Sequence, residues 1–242
     1  MTLIKKIKQT ILESTYRKPQ NIQLDRPIIS FTFDDVPPSA VTNGAKYLNQ
    51  YGFKGTYYVA SGIAEGETSY LSKEHLEDLN NNDHEIACHT FNHIGLRWVS
   101  SKTAKQQSSK NIAAIQQVLP HYPVTNFSYP FGEAGLFSKR ILRTMFDSMR
   151  TSDAGINFGM TDMSHLRAIS LYSNSFNRNS LLEVIQQTIE NNAWTIFYTH
   201  DVTDEFGPWG TSINDFKWLL EQCNNHEIDV LSIRDAIKII TK

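Results

Sequence analysis

The sequence predicts an α/β protein whose parallel strands close, or nearly close, into a barrel, and three observations carry that expectation. Short apolar runs alternate along most of the chain with segments of helical spacing, as a parallel sheet with crossover helices requires. The alternation repeats often enough to fill a barrel, and 242 residues with 40% apolar content can bury one large core of that kind. Polar clusters also fall just past the carboxyl ends of predicted strands, at Asp34-Asp35, His89, Tyr129-Pro130 and His200. In barrel enzymes that face carries the active site, because the βα loops converge there.

In order, residues 28–33 read as a strand, 40–51 as a helix and 55–59 as a strand. Ser72 is placed to cap a helix over 73–80, which leads to a strand at 84–88. A longer helix over 103–119 aligns Ile112, Ile115 and Leu119 on one face. The strand at 126–129 is stopped by Pro130 and Gly132, and 139–146 reads as helix. Strands follow at 148–152 and 167–172, then a helix over 181–191 opened by the capping box Ser180…Glu183. The chain closes with a strand at 194–198, a helix at 214–223, a short strand at 229–231 and a helix at 234–240.

Ahead of these elements, Ile4, Ile7 and Ile11 follow helical spacing with Lys5, Lys6 and Lys8 between them. Residues 1–25 are therefore read as an N-terminal helical arm ahead of a single main domain over 26–242. The arm either packs on that domain or makes weak peripheral contact with an anionic membrane surface, as basic amphipathic helices do.

Charge is mixed, with 23 Lys+Arg against 25 Asp+Glu, which speaks against a nucleic-acid partner. Two cysteines without CxxC spacing imply no disulfide framework and a reducing compartment. No stretch is apolar enough to span a bilayer, and the N-terminus lacks the apolar core and cleavage site of a signal peptide, so a cytoplasmic location is expected.

The chemistry lies in Phe31-Thr32-Phe33-Asp34-Asp35 and His89-Thr90-Phe91-Asn92-His93. One carboxylate and two imidazoles form a ligand set that holds a catalytic zinc with a position open for water, and the spare carboxylate can serve as base. His200, delivered by the apolar run at 194–198, adds a third imidazole. His84 reads as a structural or surface ring, and His75, His121, His165 and His226 as exposed. Cys88 adjoins His89 and should face the opposite side of its strand, into the core.

Four segments together resemble the polysaccharide deacetylase family, the carbohydrate esterases with a NodB-type homology domain. They are Thr32-Phe33-Asp34-Asp35, His89-Thr90-Phe91-Asn92-His93, Tyr129-Pro130-Phe131-Gly132 and Tyr198-Thr199-His200-Asp201, in the family's order. The resemblance covers roughly residue 26 to the C-terminus and implies a distorted, incomplete (β/α) barrel. It also implies a divalent metal such as Zn2+ and removal of an acetyl group from an N-acetylated sugar or oligosaccharide. Carried over by position, Asp35, His89 and His93 would hold the metal, with Asp34 as base and His200 as acid. The Phe131 amide would help bind the oxyanion, and Tyr129 would contact substrate. Trp98 and Trp209 are candidates to stack on a sugar ring, with packing at the rim as the alternative. Surface-polysaccharide precursors fit the expected location. The alternatives are another acyl group, formyl or O-acetyl, or a carbohydrate-binding relic.

One departure from the family pattern concerns the arginine that orients the base. Ser128 stands where it is often found, two residues before the proline. Arg167 is the expected substitute, brought in from a later strand, with Arg150 in reserve.

Overall fold

The computed structural model describes residues 12, 14–63 and 71–241. The expected helix over residues 3–12 thus falls almost wholly outside the described residues. None of the described helices is long and apolar enough to cross a membrane.

β2 (Ile28–Asp34) is buried along its whole length and organises the main sheet. The strand order is β6 (Ser148–Arg150), β5 (Asn126–Ser128), β4 (Glu85–Cys88), β3 (Thr56–Val59), β2, β9 (Trp194–Thr199) and β8 (Ile169–Ser170). All neighbours are parallel, and β10 (Asp229–Val230) pairs with the amino end of β2. The sheet curls into an incomplete barrel. β6 and β8 do not pair, and the gap is spanned by one bridge, Arg150 to Leu166, with the Thr151 amide donating to the Leu166 carbonyl at 2.9 Å.

Period-two alternation sorts every strand into an outer and an inner face. Outward, Phe31, Phe33, Tyr57, Ile86, Cys88 and Phe127 join the layer packed under the helices. There Phe33 stacks on Tyr57 at 4.6 Å and meets Phe216 of the helix Ile213–Asn225 edge-on. Inward, Ile28, Tyr58, Ala87, Trp194, Ile196 and Tyr198 fill the barrel. Each of the larger apolar side chains contributes about 1.5–3 kcal/mol of burial. Asp34, Ser128 and Arg150 share the inward phase at the carboxyl rim, and His89 continues it one step past β4.

Several expected elements change in detail. The helix after β2 opens as a π-helical segment, Ala40–Ala45, before Lys46–Gln50. In the long helix, Ser101–Val118, the buried stripe is Ala104, Ser108, Asn111 and Ile115, so Ile112 and Leu119 lie at its margin. The shift has a polar cause, since Asn111 reaches in to donate to the Val59 carbonyl at 2.7 Å. The capping box at Ser180 is not used. Helix Arg178–Glu190 starts earlier, with the Asn177 side chain accepting from the Ser180 amide at 3.0 Å.

Residues 14–25 are not simply a helical arm. β1 (Pro19–Ile22) pairs antiparallel with β7 (Gly159–Asp162), and both strands are too short and polar to show periodicity. The fully buried Lys139 fastens the pair by donating to Asp162 Oδ2 at 2.7 Å.

Candidate active site

Asp35, His89 and His93 converge, each offering a ligand atom within 4.8 Å of the others. His93 Nε2 lies 3.4 Å and His89 Nε2 3.8 Å from Asp35 Oδ1, and neither makes a hydrogen bond to it. That oxygen is buried and has no hydrogen-bond partner among the described residues. His89 Nδ1 is 2.8 Å from the Ser128 carbonyl, so it carries the proton and Nε2 keeps its lone pair toward Asp35. Burial, opposed by Asp34, pushes His89 down to about 3, and burial also lowers His93, so both rings are neutral. Burial and the Asp34 charge push Asp35 up to about 6. A donorless carboxylate oxygen faced by two neutral imidazoles fits a divalent cation.

Tight backbone turns make this convergence possible. Asp35 and Val36 both adopt left-handed conformations, at φ 59° and 53°, and Thr90, His93 and Phe131 do so at 62°, 49° and 59°. Each costs about 1–2 kcal/mol in a residue with a Cβ, and such strain gathers at functional sites.

Asp34 is the inward last residue of β2. Burial alone would raise its carboxyl, but the Arg150 guanidinium, through its charge and its hydrogen bonds, outweighs that and holds it below the ordinary range. The arginine on Asp34 is Arg150, which corrects the expectation for Arg167. Arg150 Nη2 contacts both Asp34 oxygens and Ser128 Oγ, and its guanidinium lies 4.8 Å from the Tyr198 ring and 5.3 Å from that of Tyr58. The physical reason is register, because Arg150 of β6 pairs directly with Ser128 of β5. The guanidinium thus enters from the neighbouring strand at the very level where the motif serine leaves room. Arg167 is exposed, and its Nη1 donates to the Ala154 carbonyl at 3.4 Å.

His200 Nε2 lies 3.8 Å from Asp35 Oδ2, on the rim opposite His89. The Trp209 carbonyl gathers the His200 amide at 3.2 Å, His200 Nδ1 at 3.2 Å and Thr199 Oγ1 at 3.3 Å, which fixes the ring. This loop depends on Gly210, where a Cβ would sit 1.7 Å from Asp201 Oδ1.

A cavity of about 410 Å³ collects Asp34, Asp35, His89, His93, Arg150 and His200. Phe131, Tyr172, Tyr198 and Trp209 form its aromatic wall, with Trp209 edge-on to Tyr172 at 5.5 Å. Two expected substrate contacts do not reach it. The Tyr129 ring is fully buried in the outer layer, with its hydroxyl 3.4 Å from Met149 Sδ, because its neighbour Ser128 takes the inward position. Trp98 is 76% exposed and lies outside the cavity lining, beside the Arg97 guanidinium at 5.6 Å. The sequence reading did not single out Tyr172 or Ser152 as lining residues. The other histidines also diverge in part. His84 is buried, accepting from the Gly55 amide at 3.0 Å, whereas His165, expected to be exposed, is mostly buried and bonded to Asp153 at 2.7 Å.

The structure is similar to a family 4 acetyl xylan esterase from Clostridium thermocellum solved with a cobalt ion. Identity is 17%, covering 88% of this chain and 91% of that one, with a TM-score of 0.61. It is also similar to the peptidoglycan deacetylase PdaC from Bacillus subtilis, at 15% identity, 90% and 93% coverage and a TM-score of 0.63. A mutant of BA3943, described as a family pseudoenzyme with restored enzymatic activity, aligns at 12% identity over 90% and 70% of the chains, with a TM-score of 0.65. At such identities these likenesses speak to fold alone. A comparison with curated proteins finds no match. The polysaccharide deacetylase profile matches residues 21–147, just over half of the 242 residues, and with the incomplete barrel it shows that this chain belongs to the polysaccharide deacetylase family.

Proposed function

We propose that this protein is a metal-dependent hydrolase that removes an acetyl group from an N-acetylated sugar unit. The observation that carries the reading is the donorless Asp35 Oδ1 facing two neutral imidazoles, beside a second carboxylate held by Arg150. Asp35, His89 and His93 would hold the ion, for which the ligand set favours zinc. When bound, the cation supplies Lewis acidity, acidifying water and polarising the acyl oxygen.

The protein's own groups do the rest. Asp34, oriented by Arg150, takes a proton from the attacking water. The Phe131 amide, at the cavity edge in its left-handed turn, donates to the developing oxyanion. His200 gives a proton to the departing nitrogen, with its ring orientation set by the Trp209 carbonyl. An amide nitrogen must be protonated to leave, so a placed imidazole favours N-acetyl over O-acetyl substrates. The free, buried Cys88 and Cys223 support a reducing, cytoplasmic setting.

Elemental analysis of the purified protein and acetate release from N- and O-acetylated sugars, with and without chelator, test this reading. We expect one divalent ion per chain and chelator-sensitive release from the N-acetyl series. Absence of stoichiometric metal, or equal release with chelator present, would overturn it.

A further inference from the structure

We propose that an aromatic strip beside the active-site mouth is a docking face, and that its partner is a bilayer surface rich in anionic lipid. This face is read by binding and not by turnover, so it stands or falls apart from the deacetylase reading. Three large aromatic side chains are exposed along one stretch of the rim, Trp98 at 76%, Phe131 at 66% and Phe137 at 57%. A single exposed apolar residue needs no explanation, but a group of them marks an interaction surface.

Close backbone packing brings the three together. Gly135 lies so near the Leu96 and Arg97 carbonyls that a Cβ would sit 2.3 and 2.5 Å from their oxygens. Ser101 Oγ donates to the Phe137 carbonyl at 2.7 Å, and Ser138 Oγ to the Leu96 carbonyl at 3.0 Å. The amino end of helix Leu136–Leu142 is thus pinned against the segment that carries Trp98. A Cβ on Gly95 would lie 3.6 Å from the Phe131 ring, so Phe131 borders the same segment. Phe131 also lines the catalytic cavity, and docking on this strip therefore brings the cavity mouth to the partner.

Charge identifies that partner. The whole chain carries 23 Lys+Arg against 25 Asp+Glu, yet residues 97–143 carry seven against one. The one acid, Glu133, is paired with Arg97 at 2.9 Å, and the buried Lys139 is paired with Asp162. Lys102, Lys105, Lys110, Arg140 and Arg143 remain, and none of them makes an ion pair among the described residues. Lys102 lies in the first turn of the helix that follows Trp98, with Lys105 one turn on, and Arg140 comes three residues after Phe137. Exposed rings flanked by unpaired cations match the two terms of binding at a lipid surface, apolar insertion at headgroup depth and attraction to anionic headgroups. Single-stranded nucleic acid is held in a charged groove, whereas a Trp98 ring that is 76% exposed stands proud of the surface, as insertion requires.

The test is sedimentation of the full chain with vesicles of phosphatidylcholine alone and of an equal mixture of phosphatidylcholine and phosphatidylglycerol. We expect binding to the mixed vesicles to be about tenfold tighter or more, and to weaken as salt is raised. Trp98→Ala combined with Phe137→Ala should lower that binding about tenfold, and Lys102→Glu with Lys105→Glu should abolish the preference for anionic lipid. All four side chains are exposed, so thermal melting should be unchanged and the comparison stays on folded protein. Lys5→Gln, Lys6→Gln and Lys8→Gln together test the N-terminal arm, and should leave binding within about threefold. No vesicle binding, equal binding to both vesicles, or binding that only the arm variant lowers would overturn the docking face. Tighter binding to a single-stranded or duplex oligonucleotide than to the mixed vesicles at the same salt would overturn it as well.

Discussion

The two ends of one strand, β4, each carry a buried acid environment, and they are built on opposite principles. At the amino end Glu85 is satisfied on all sides. Thr56 Oγ1 donates at 2.8 Å, Asn126 Nδ2 at 2.6 Å and the Arg234 amide at 2.7 Å. At the carboxyl end, next to His89, Asp35 keeps an oxygen with no donor at all among the described residues. Burial raises the carboxyl group of both. The difference lies in what surrounds them. Glu85 is surrounded by donors and ties β3, β4, β5 and the helix Ile233–Ile240 together, whereas Asp35 Oδ1 faces two imidazole nitrogens and has no donor. A satisfied buried carboxylate serves the fold, and an unsatisfied one marks the site.

The contrast can be broken most sharply at the rim. Asp34→Asn should keep metal content and fold but lower kcat by about 10²–10⁴-fold, the usual cost of a missing general base. Asp35→Asn should instead lose the metal while leaving metal-free thermal stability unchanged or raised, since it removes an orphaned oxygen. Metal analysis and calorimetry of the two variants separate these outcomes, and near-normal turnover in Asp34→Asn would remove it as the base.

Next in size is Arg150. Arg150→Ala leaves a buried Asp34 without its charge partner and should cost about 3–5 kcal/mol of stability along with most activity. Arg150→Lys should retain a measurable part of the rate, because a single nitrogen makes the contact with Asp34. The loss of stacking against Tyr58 and Tyr198 keeps it from full activity. Arg167→Ala should change kcat/KM less than threefold, and a larger effect would restore the discarded assignment.

At the amino end the sign of the effects reverses. Glu85→Ala strands three buried donors and should lower stability by about 3 kcal/mol or more, with metal stoichiometry in the folded fraction unchanged. Urea titration checks this.

The smallest effect concerns His84, one residue before Glu85. Burial, aided by the Lys54 charge, holds its ring down to about 4. The unfolded chain therefore binds a proton there between pH 6.5 and 4 that the folded protein refuses. This contribution to stability is complete above pH 6.5 and is lost as pH falls toward 4. His84→Gln should flatten the acid limb of stability against pH, by about 2 kcal/mol at pH 5. Parallel curves for the two proteins would contradict the assignment.

What the sequence made legible was whatever is local. Asp34-Asp35 and His89…His93 carry their spacing within a few residues, and the alternation of elements located their strands to within two residues. The substitute arginine was not local. Arg150 and Arg167 look alike in sequence, and only the pairing of Arg150 with Ser128 across two strands decides between them. Tyr129 was misjudged for a related reason. It lies one step past an inward serine, so alternation turns it into the outer layer, as the same rule correctly turned Cys88 away from His89. β1 and β7 escaped notice because short, half-exposed strands have no hydrophobic period to read.

The pairing of β1 with β7 bears on how this protein can be shortened. The family profile starts at residue 21, so a fragment cut to homology would drop residues 16–20. Those residues hold β7 and the segments flanking β6 in place. The Lys18 amide donates to Asp162 Oδ1 at 2.8 Å, its ammonium to the Phe146 carbonyl at 3.0 Å, and its carbonyl accepts from the Met163 amide at 2.9 Å. Asp162 is also the acceptor that keeps the buried Lys139 paired. Trimming would expose the seam between β6 and β7 and loosen the loop holding Ser152 and Asp153, so an engineered minimal enzyme has to begin upstream of Tyr16.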